Sequence, residues 1–366
     1  MLFRSSLDFI KRLNIFSILF LISFGILLNV SASSVEGLNL YGDNFYFIKR
    51  HLTAIILGVL IFNILKNLDT EFILKFSSIS IVTICITLFL VLTYGIVVGG
   101  SRRWIDLGIV NFQPSELAKP LIILWVAKQT SNDISEDSDM KKFIRSIFLP
   151  LFCGFLVLLE PDYGTFASIC FILFAQIFFS KIKIIYPLST IIASLIPLYM
   201  VARSSSYRLN RINTWLSGKC DIGVDLLGDC FRLNQSRIAI SSGGLFGLGP
   251  GTSRARWGSL PNSYSDFISS IIGEEYGFFG LFLIVLAFFI LITTTFLIAV
   301  KEKNEIKKLI AVGFGSWIFF QTVINLGGAV GLIPITGIVL PFVSYGSSAM
   351  ISIFVALGLM YSKDYE

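Results

Sequence analysis

The chain has 366 residues, 55% of them hydrophobic and 14% charged, with a mean hydropathy of +0.81 and a formal net charge of +6. Soluble domains do not carry this balance, so the chain reads as an integral membrane protein, with no nucleic-acid partner expected. The single histidine, His51, excludes a histidine zinc cluster and argues against a histidine-dependent hydrolase triad.

Apolar spans are expected at residues 14–31, 51–66, 76–98, 115–128, 146–159, 164–180, 184–201, 267–299, 309–327 and 343–361. Each reaches or approaches the ~20 residues that cross ~30 Å of hydrocarbon. The fold class is therefore an all-α integral membrane protein with about ten transmembrane helices. It forms one polytopic domain over residues 1–366, with a large extracytoplasmic loop, residues 202–266, between spans seven and eight. The first span lacks a small-residue cleavage site and reads as a true crossing. The eighth is longer than a straight crossing needs, so tilt or projection is expected. With both termini cytoplasmic, 16 Lys and Arg lie inside and 12 outside, the direction the positive-inside rule requires. Of the inner cations 13 are lysine, whereas ten of the outer ones are arginine. Lysine inside is ordinary topogenesis; arginine outside asks for a functional reason.

The first informative outer segment is Gly99–Gly108, which contains Arg102, Arg103 and Trp104. Pro114 then opens a helix, with Glu116 in its first turn and Lys119 three residues on, close enough to pair. The turn Glu160-Pro161-Asp162 clusters two acids at a membrane edge. Residues 202–266 hold seven arginines and one lysine. Planar, always-charged guanidinium forks suit phosphate oxygens, the bland alternative being solvated cations on a translocated loop. Cys85, Cys153 and Cys170 fall in spans as packing residues. Cys220 and Cys230 share the outer loop and are candidates for a disulfide.

The run Gly243–Gly251 has no Gly-Lys-Ser/Thr ending and no preceding strand, which excludes a nucleotide loop. It reads as tightly turned, non-helical backbone. Leu260–Asp266 ends the polar stretch, placing a lone carboxylate at the mouth of a helix bundle as a candidate base. Breakers over Gly331–Ser348 point to a segment turned into the bundle.

These segments together resemble the SEDS family (shape, elongation, division and sporulation), the FtsW/RodA peptidoglycan polymerases. The resemblance rests on Arg102-Arg103-Trp104-Ile105 with Phe112-Gln113-Pro114-Ser115-Glu116, on Pro161-Asp162 with Gly164-Thr165, and on Tyr207-Arg208 with Arg211-Ile212. It continues through Gln235-Ser236, Ser242-Gly243-Gly244, Leu260-Pro261, Asp266-Phe267 and Glu274-Glu275, and ends with Gly331-Leu332, Pro334, Gly337, Leu340-Pro341 and Ser344-Tyr345-Gly346.

The resemblance implies a multi-pass enzyme of the bacterial cytoplasmic (inner) membrane. Such an enzyme extends glycan strands from lipid II on the outer face and releases undecaprenyl diphosphate. It implies Asp266 as the essential acid. Arg208, Arg211, Arg237 and Arg254, with Arg102, Arg103 and Trp104, are assigned to substrate and diphosphate. Asp162, Glu116, Lys119, Gln235, Ser344 and Tyr345 are placed as accessory cavity residues. No organic cofactor is expected; a divalent cation, Mg or Mn, is compatible. The implied partners are a class B penicillin-binding transpeptidase and other divisome proteins.

Four positions depart from the family pattern: Asn262 for glutamate, Glu160 for glutamine, Ser265 for threonine and Ser347 for glycine. The stretch Gly251–Arg256, with Arg254 and Arg256, looks more like the division branch, FtsW, than the elongation branch, RodA. The alternatives are a RodA-like polymerase, a lipid II flippase and a non-catalytic divisome scaffold.

Overall fold

The computed structural model describes residues 2–98, 101–106, 108, 111–131, 138–203, 215 and 230–363. Helices α1 (Leu2–Tyr41), α2 (Tyr46–Asn67) and α3 (Thr70–Tyr94) come first. A small antiparallel sheet follows, β1 (Ile96–Val98), β2 (Ser101–Asp106) and β3 (Asn111–Phe112), in that order. Then come α4 (Pro114–Thr130), α5 (Asp139–Leu159), α6 (Tyr163–Phe179) and α7 (Ile185–Arg203). After the long loop stand α8 (Phe231–Ser242), α9 (Ile268–Lys301), α10 (Glu305–Val330) and α11 (Ser347–Met360). Among the described residues six helices are long and apolar enough to cross a membrane, and α6 and α11 are shorter apolar ones.

A helix occupies every one of the ten expected spans. The differences are at the ends. α1 runs to Tyr41, α5 begins at Asp139, and α3 stops at Tyr94, where the chain turns into β1. Residues 343–346, expected within the tenth span, are a turn before α11.

Two apolar cores form. One joins α1, α2, α9, α10 and α11 through residues such as Leu21, Leu28, Phe288, Leu291, Phe314 and Phe354. The other joins α3, α4, α5 and α6 through Ile81, Leu88, Ile122, Val157 and Ile169. α4 stands between them, packed on α3, α5, α6, α10 and α11.

Irregular backbone survives inside this bundle only where partners replace the helical ladder. In α9, Gly277 has φ 66° and ψ −160° and breaks the helix. The glycine run after α8 takes over the broken hydrogen bonds. Leu248 and Gly249 donate their N–H groups to the carbonyls of Glu274 and Glu275 (2.9 and 3.0 Å), while Phe278 and Phe279 donate to Gly244 and Leu245 (2.9 and 3.1 Å). A Cβ on Gly277 would sit 2.4 Å from the Gly247 nitrogen, so only glycine fits.

The segment between α10 and α11 is similarly non-helical, yet Leu340, Phe342 and Val343 are buried in it. Two asparagines hold it: Asn29 of α1 donates to the Val343 carbonyl (2.7 Å), and Asn325 of α10 to that of Ile338 (2.7 Å).

The end of the bundle away from these segments is tied by regular pairing. Lys363 donates its N–H to Leu68 and accepts from Thr70, both at 3.1 Å. The Lys307 ammonium donates to the Ser362 carbonyl, and the Tyr361 hydroxyl to Asn14 Oδ1 (3.0 Å). Asn14 in turn donates to Thr294 and Thr295 of α9 (2.8 and 2.9 Å).

Candidate active site

Asp266 closes a tight turn just before α9. Asn262 carries a left-handed φ of 58°, a conformation asparagine adopts more readily than most residues. Its carbonyl accepts the N–H groups of Ser265 (3.2 Å) and Asp266 (3.1 Å). At this position, then, asparagine has a backbone duty that a longer acid would perform less well. Buried Phe267 anchors the turn, and the Asp266 carbonyl accepts from Asn325 Nδ2 (2.9 Å). The same amide nitrogen donates to Ile338, so one side chain sets the gap between the turn and residues 336–338. The Asp266 carboxylate is half-buried in that gap. A Cβ on Gly337 would lie 3.5 Å from its Oδ2.

Tyr345 reaches the same turn, its N–H donating to the Tyr264 carbonyl (3.1 Å). Ser344 is buried, and its hydroxyl accepts the Leu340 N–H (2.9 Å), which keeps the approach to α11 folded. From there Ser348 leads to a second cluster. Its hydroxyl accepts from the Gln113 N–H (2.8 Å), and the Gln113 amide donates to Asp162 Oδ2 (3.2 Å). Asp162 also caps α6, accepting from the Thr165 N–H (3.3 Å) and hydroxyl (2.9 Å).

Arg103 on β2 closes this cluster. It donates to the Glu160 carbonyl (3.1 Å) and the Pro161 carbonyl, and stands 3.9 Å from Asp162. Arg102 turns outward and donates to the Thr93 carbonyl (2.7 Å). Trp104 is half-buried on the same strand, paired with Ile96. Glu160 is 1% exposed, and neither of its carboxylate oxygens has a hydrogen-bond partner. Burial pushes its carboxyl up to about 8, with the charge of Asp162 adding and that of Arg103 opposing.

Deeper in α4, Lys119 is fully buried and donates to Glu116 (2.8 Å). It also lies 4.7 Å from the ring centre of Trp317 on α10. The ring face and the carboxylate together offset the cost of burying the ammonium.

Arg254 is exposed, but its loop is clamped. Glu274 Oε1 accepts the Arg254 N–H (2.9 Å), and Oε2 accepts the Ala255 N–H (3.2 Å) and the Ser253 hydroxyl (2.6 Å). Arg256 turns inward and donates to the Ser31 hydroxyl on α1 (3.2 Å), which donates to Glu275. Arg237 on α8 donates to the Val330 carbonyl (3.1 Å) and covers the end of α10. α8 is docked by Ser236, whose hydroxyl meets Ser270 and the Ala329 carbonyl at 2.6 Å. Gln235 is half-buried on that helix.

The structure thus brings Asp266, Tyr345, Ser344, Asp162 and Arg103 to one end of the bundle, with Arg237 and Arg254 on elements that pack against α9. Arg208, Arg211 and Cys220 lie outside the described residues. Cys230 is buried and disulfide-bonded, while Cys85, Cys153 and Cys170 are buried thiols outside any disulfide. Sequence reasoning missed Asn325, the loop-clamping role of Glu274, and Trp317. For Asn325 the available signal was a polar amide inside an apolar span, expensive there and functional by default.

This geometry has close counterparts among known proteins. The FtsW/RodA/SpoVE family model, described as cell cycle protein, matches residues 12–366. A probable peptidoglycan glycosyltransferase FtsW of Tolumonas auensis is 32% identical over 352 residues, covering 94% of this chain and 90% of its own. Stage V sporulation protein E of Bacillus subtilis is 34% identical over 346 residues, covering 93% of each. Among solved structures, the rod shape determining protein RodA of Thermus thermophilus superposes with a TM-score of 0.68 at 25% identity, over 95% of this chain and 94% of that one. A chain from a peptidoglycan synthase complex that coordinates polymerization and crosslinking gives a TM-score of 0.72 at 25% identity, over 95% of both. With its bundle of apolar helices, the break in α9 and its carboxylate-bearing turn, the chain belongs to the FtsW/RodA/SpoVE family of cell cycle proteins.

Proposed function

We propose that this protein polymerises peptidoglycan glycan strands from lipid II during septal wall synthesis, with Asp266 as the base. The observation that carries this reading is the setting of Asp266: a half-buried carboxylate on a turn locked by Asn262, Asn325 and Phe267. Near-complete matches to relatives named peptidoglycan glycosyltransferase FtsW support the chemistry and the division branch.

The acceptor hydroxyl attacks the anomeric carbon of the lipid-linked donor. A carbon–oxygen bond forms, the anomeric carbon–phosphate oxygen bond breaks, undecaprenyl diphosphate leaves, and the hydroxyl proton passes to Asp266. An ordinary aspartate, with a pKa near ~4, is a weak base and works only within hydrogen-bond reach of its proton. Rigid placement matters more here than basicity. The leaving diphosphate needs charge stabilisation, which preorganised guanidinium groups supply; Arg237 and Arg254 are assigned to it together with Arg208 and Arg211.

Among the described residues no three His, Cys, Asp or Glu side chains cluster. A divalent cation, Mg or Mn, would have the Asp266 carboxylate as its protein ligand at this turn. When bound it would neutralise charge on the leaving group.

The Asp266 end of the bundle faces outward and both termini lie in the cytoplasm, with a class B penicillin-binding transpeptidase as partner. The deciding experiment is polymerisation of labelled lipid II by the purified protein with that partner. Asp266→Asn should lower turnover by roughly 10²–10⁴-fold while the protein stays folded. Glycan ladders of normal yield from that variant would remove Asp266 from the chemistry.

A further inference from the structure

Five aromatic rings from four separate segments converge beside the Asp266 turn. Tyr41 ends α1, Tyr46 and Phe47 open α2, Tyr264 lies on the turn itself, and Tyr345 precedes α11. Tyr41 and Tyr46 stack with centroids 3.7 Å apart, and Phe47 lies 5.3 Å from Tyr46. Phe47 continues the row to Tyr264 (4.7 Å) and Tyr345 (5.2 Å), which are themselves 5.6 Å apart. Phe47 is buried as the keystone, whereas Tyr41 is 54% exposed.

The row is continuous with the candidate active site. The Tyr264 hydroxyl is held well above its ordinary titration range by burial, and then by the charges of Glu36, Tyr345 and Asp266. Arg50 covers Tyr46 at 4.7 Å and ties it to the sheet by donating to the Gly108 carbonyl (3.1 Å).

We propose that Tyr41, Tyr46, Phe47, Tyr264 and Tyr345 form a saccharide platform that holds pyranose rings of the glycan strand against the Asp266 turn. The inference rests on the polymerase reading for the identity of the glycan. The apolar face of a pyranose presents C–H groups with partial positive charge, which match the negative face of an aromatic ring. Tyrosine adds a hydroxyl for the sugar's polar edge. Four of the five rings are tyrosines, whereas a surface made for acyl chains or an apolar helix would be carried by aliphatic side chains. The row also runs on from the reacting carboxylate, where a polymer must be held if successive additions are to occur without release.

The probe is a soluble, lipid-free peptidoglycan oligosaccharide, titrated into the full-length protein in detergent and compared with lipid II. Tyr41 is the position to vary, because it is exposed and its loss leaves the buried rings in place. Tyr41→Phe, which keeps the ring and loses the hydroxyl, should bind the oligosaccharide within roughly threefold of the wild type. Tyr41→Leu should bind it roughly tenfold more weakly and yield shorter strands. Equal binding by Tyr41→Leu, loss of binding in Tyr41→Phe, or binding of lipid II alone would overturn the platform. The two readings fail separately. A wild type that consumes lipid II without binding the oligosaccharide removes the platform and keeps the polymerase, and saturable binding without consumption does the reverse.

Discussion

Glu160 is the residue whose charge costs the fold most visibly. Its carboxyl is buried, its oxygens are unpartnered, and its proton is held up to about 8 against an ordinary value of 4.5. Between those values the folded state keeps a proton that the unfolded chain gives up. Stability therefore falls as pH rises from about 4.5 to about 8, and the full penalty persists above that. Glu160→Gln keeps the shape and removes the charge. It should raise the melting temperature of the detergent-solubilised protein at pH 8 by several degrees, roughly 2–4 °C for each kcal/mol relieved. The same substitution should flatten the pH dependence, and thermal unfolding scanned across pH checks both. At this scale the sequence was legible where chemistry is tied to residue type. Arg103 and Asp266 could be singled out by residue type, but that Arg103 lies against the Glu160–Asp162 turn is visible only in the structure. Asn325 was less legible: its position in a span marks a buried amide as important, but nothing local says that its two hydrogens go to residues 266 and 338.

Elements show a different limit. The break in α9 and the glycine run depend on each other, because each supplies the hydrogen bonds the other lacks. Gly277 has φ 66° and ψ −160°, a region essentially reserved for glycine. Gly277→Ala meets both that strain, about 1–3 kcal/mol, and contact with the Leu245 carbonyl at 2.6 Å. It should lower the melting temperature markedly and reduce folded yield, whereas Gly244→Ala, with open space around it, should cost less. Comparing the two by size-exclusion and thermal unfolding checks the pairing. The density of glycines predicted irregular backbone over 243–251, but the exchange partners lie some 30 residues away and carry no local mark. The sheet after α3 escaped notice because strands of three, six and two residues are too short for an alternating pattern. α8 escaped because FRLNQSRIAISS has little apolar periodicity to read.

The whole molecule was the most legible level, and the reason is the solvent. Hydrocarbon forbids unpaired backbone, so an apolar run long enough to cross has to be a helix, and all ten spans became helices. What length and apolarity did not convey is which helices stand at the centre; α4 owes its place to Glu116 and Lys119, which need neighbours on every side. Orientation can be tested directly. Cysteine introduced at exposed Ser259, near the Asp266 turn, should react with a membrane-impermeant maleimide in intact spheroplasts; cysteine at exposed Lys303 should react only after lysis. The reverse pattern would invert the topology. Cys85, Cys153 and Cys170 are buried and should stay silent.

The ties around Lys363, Ser362, Tyr361 and Asn14 give the molecule a fixed base. They join α1, the α2–α3 turn, α9, α10 and the end of α11 through hydrogen bonds in a low-dielectric setting, where each is hard to break. The opposite end is held by the exchange between the glycine run and α9 and by single side chains reaching into loops. Thermal opening is cheapest where such holds are sparse, so the helices part, when they do, like fingers from a palm.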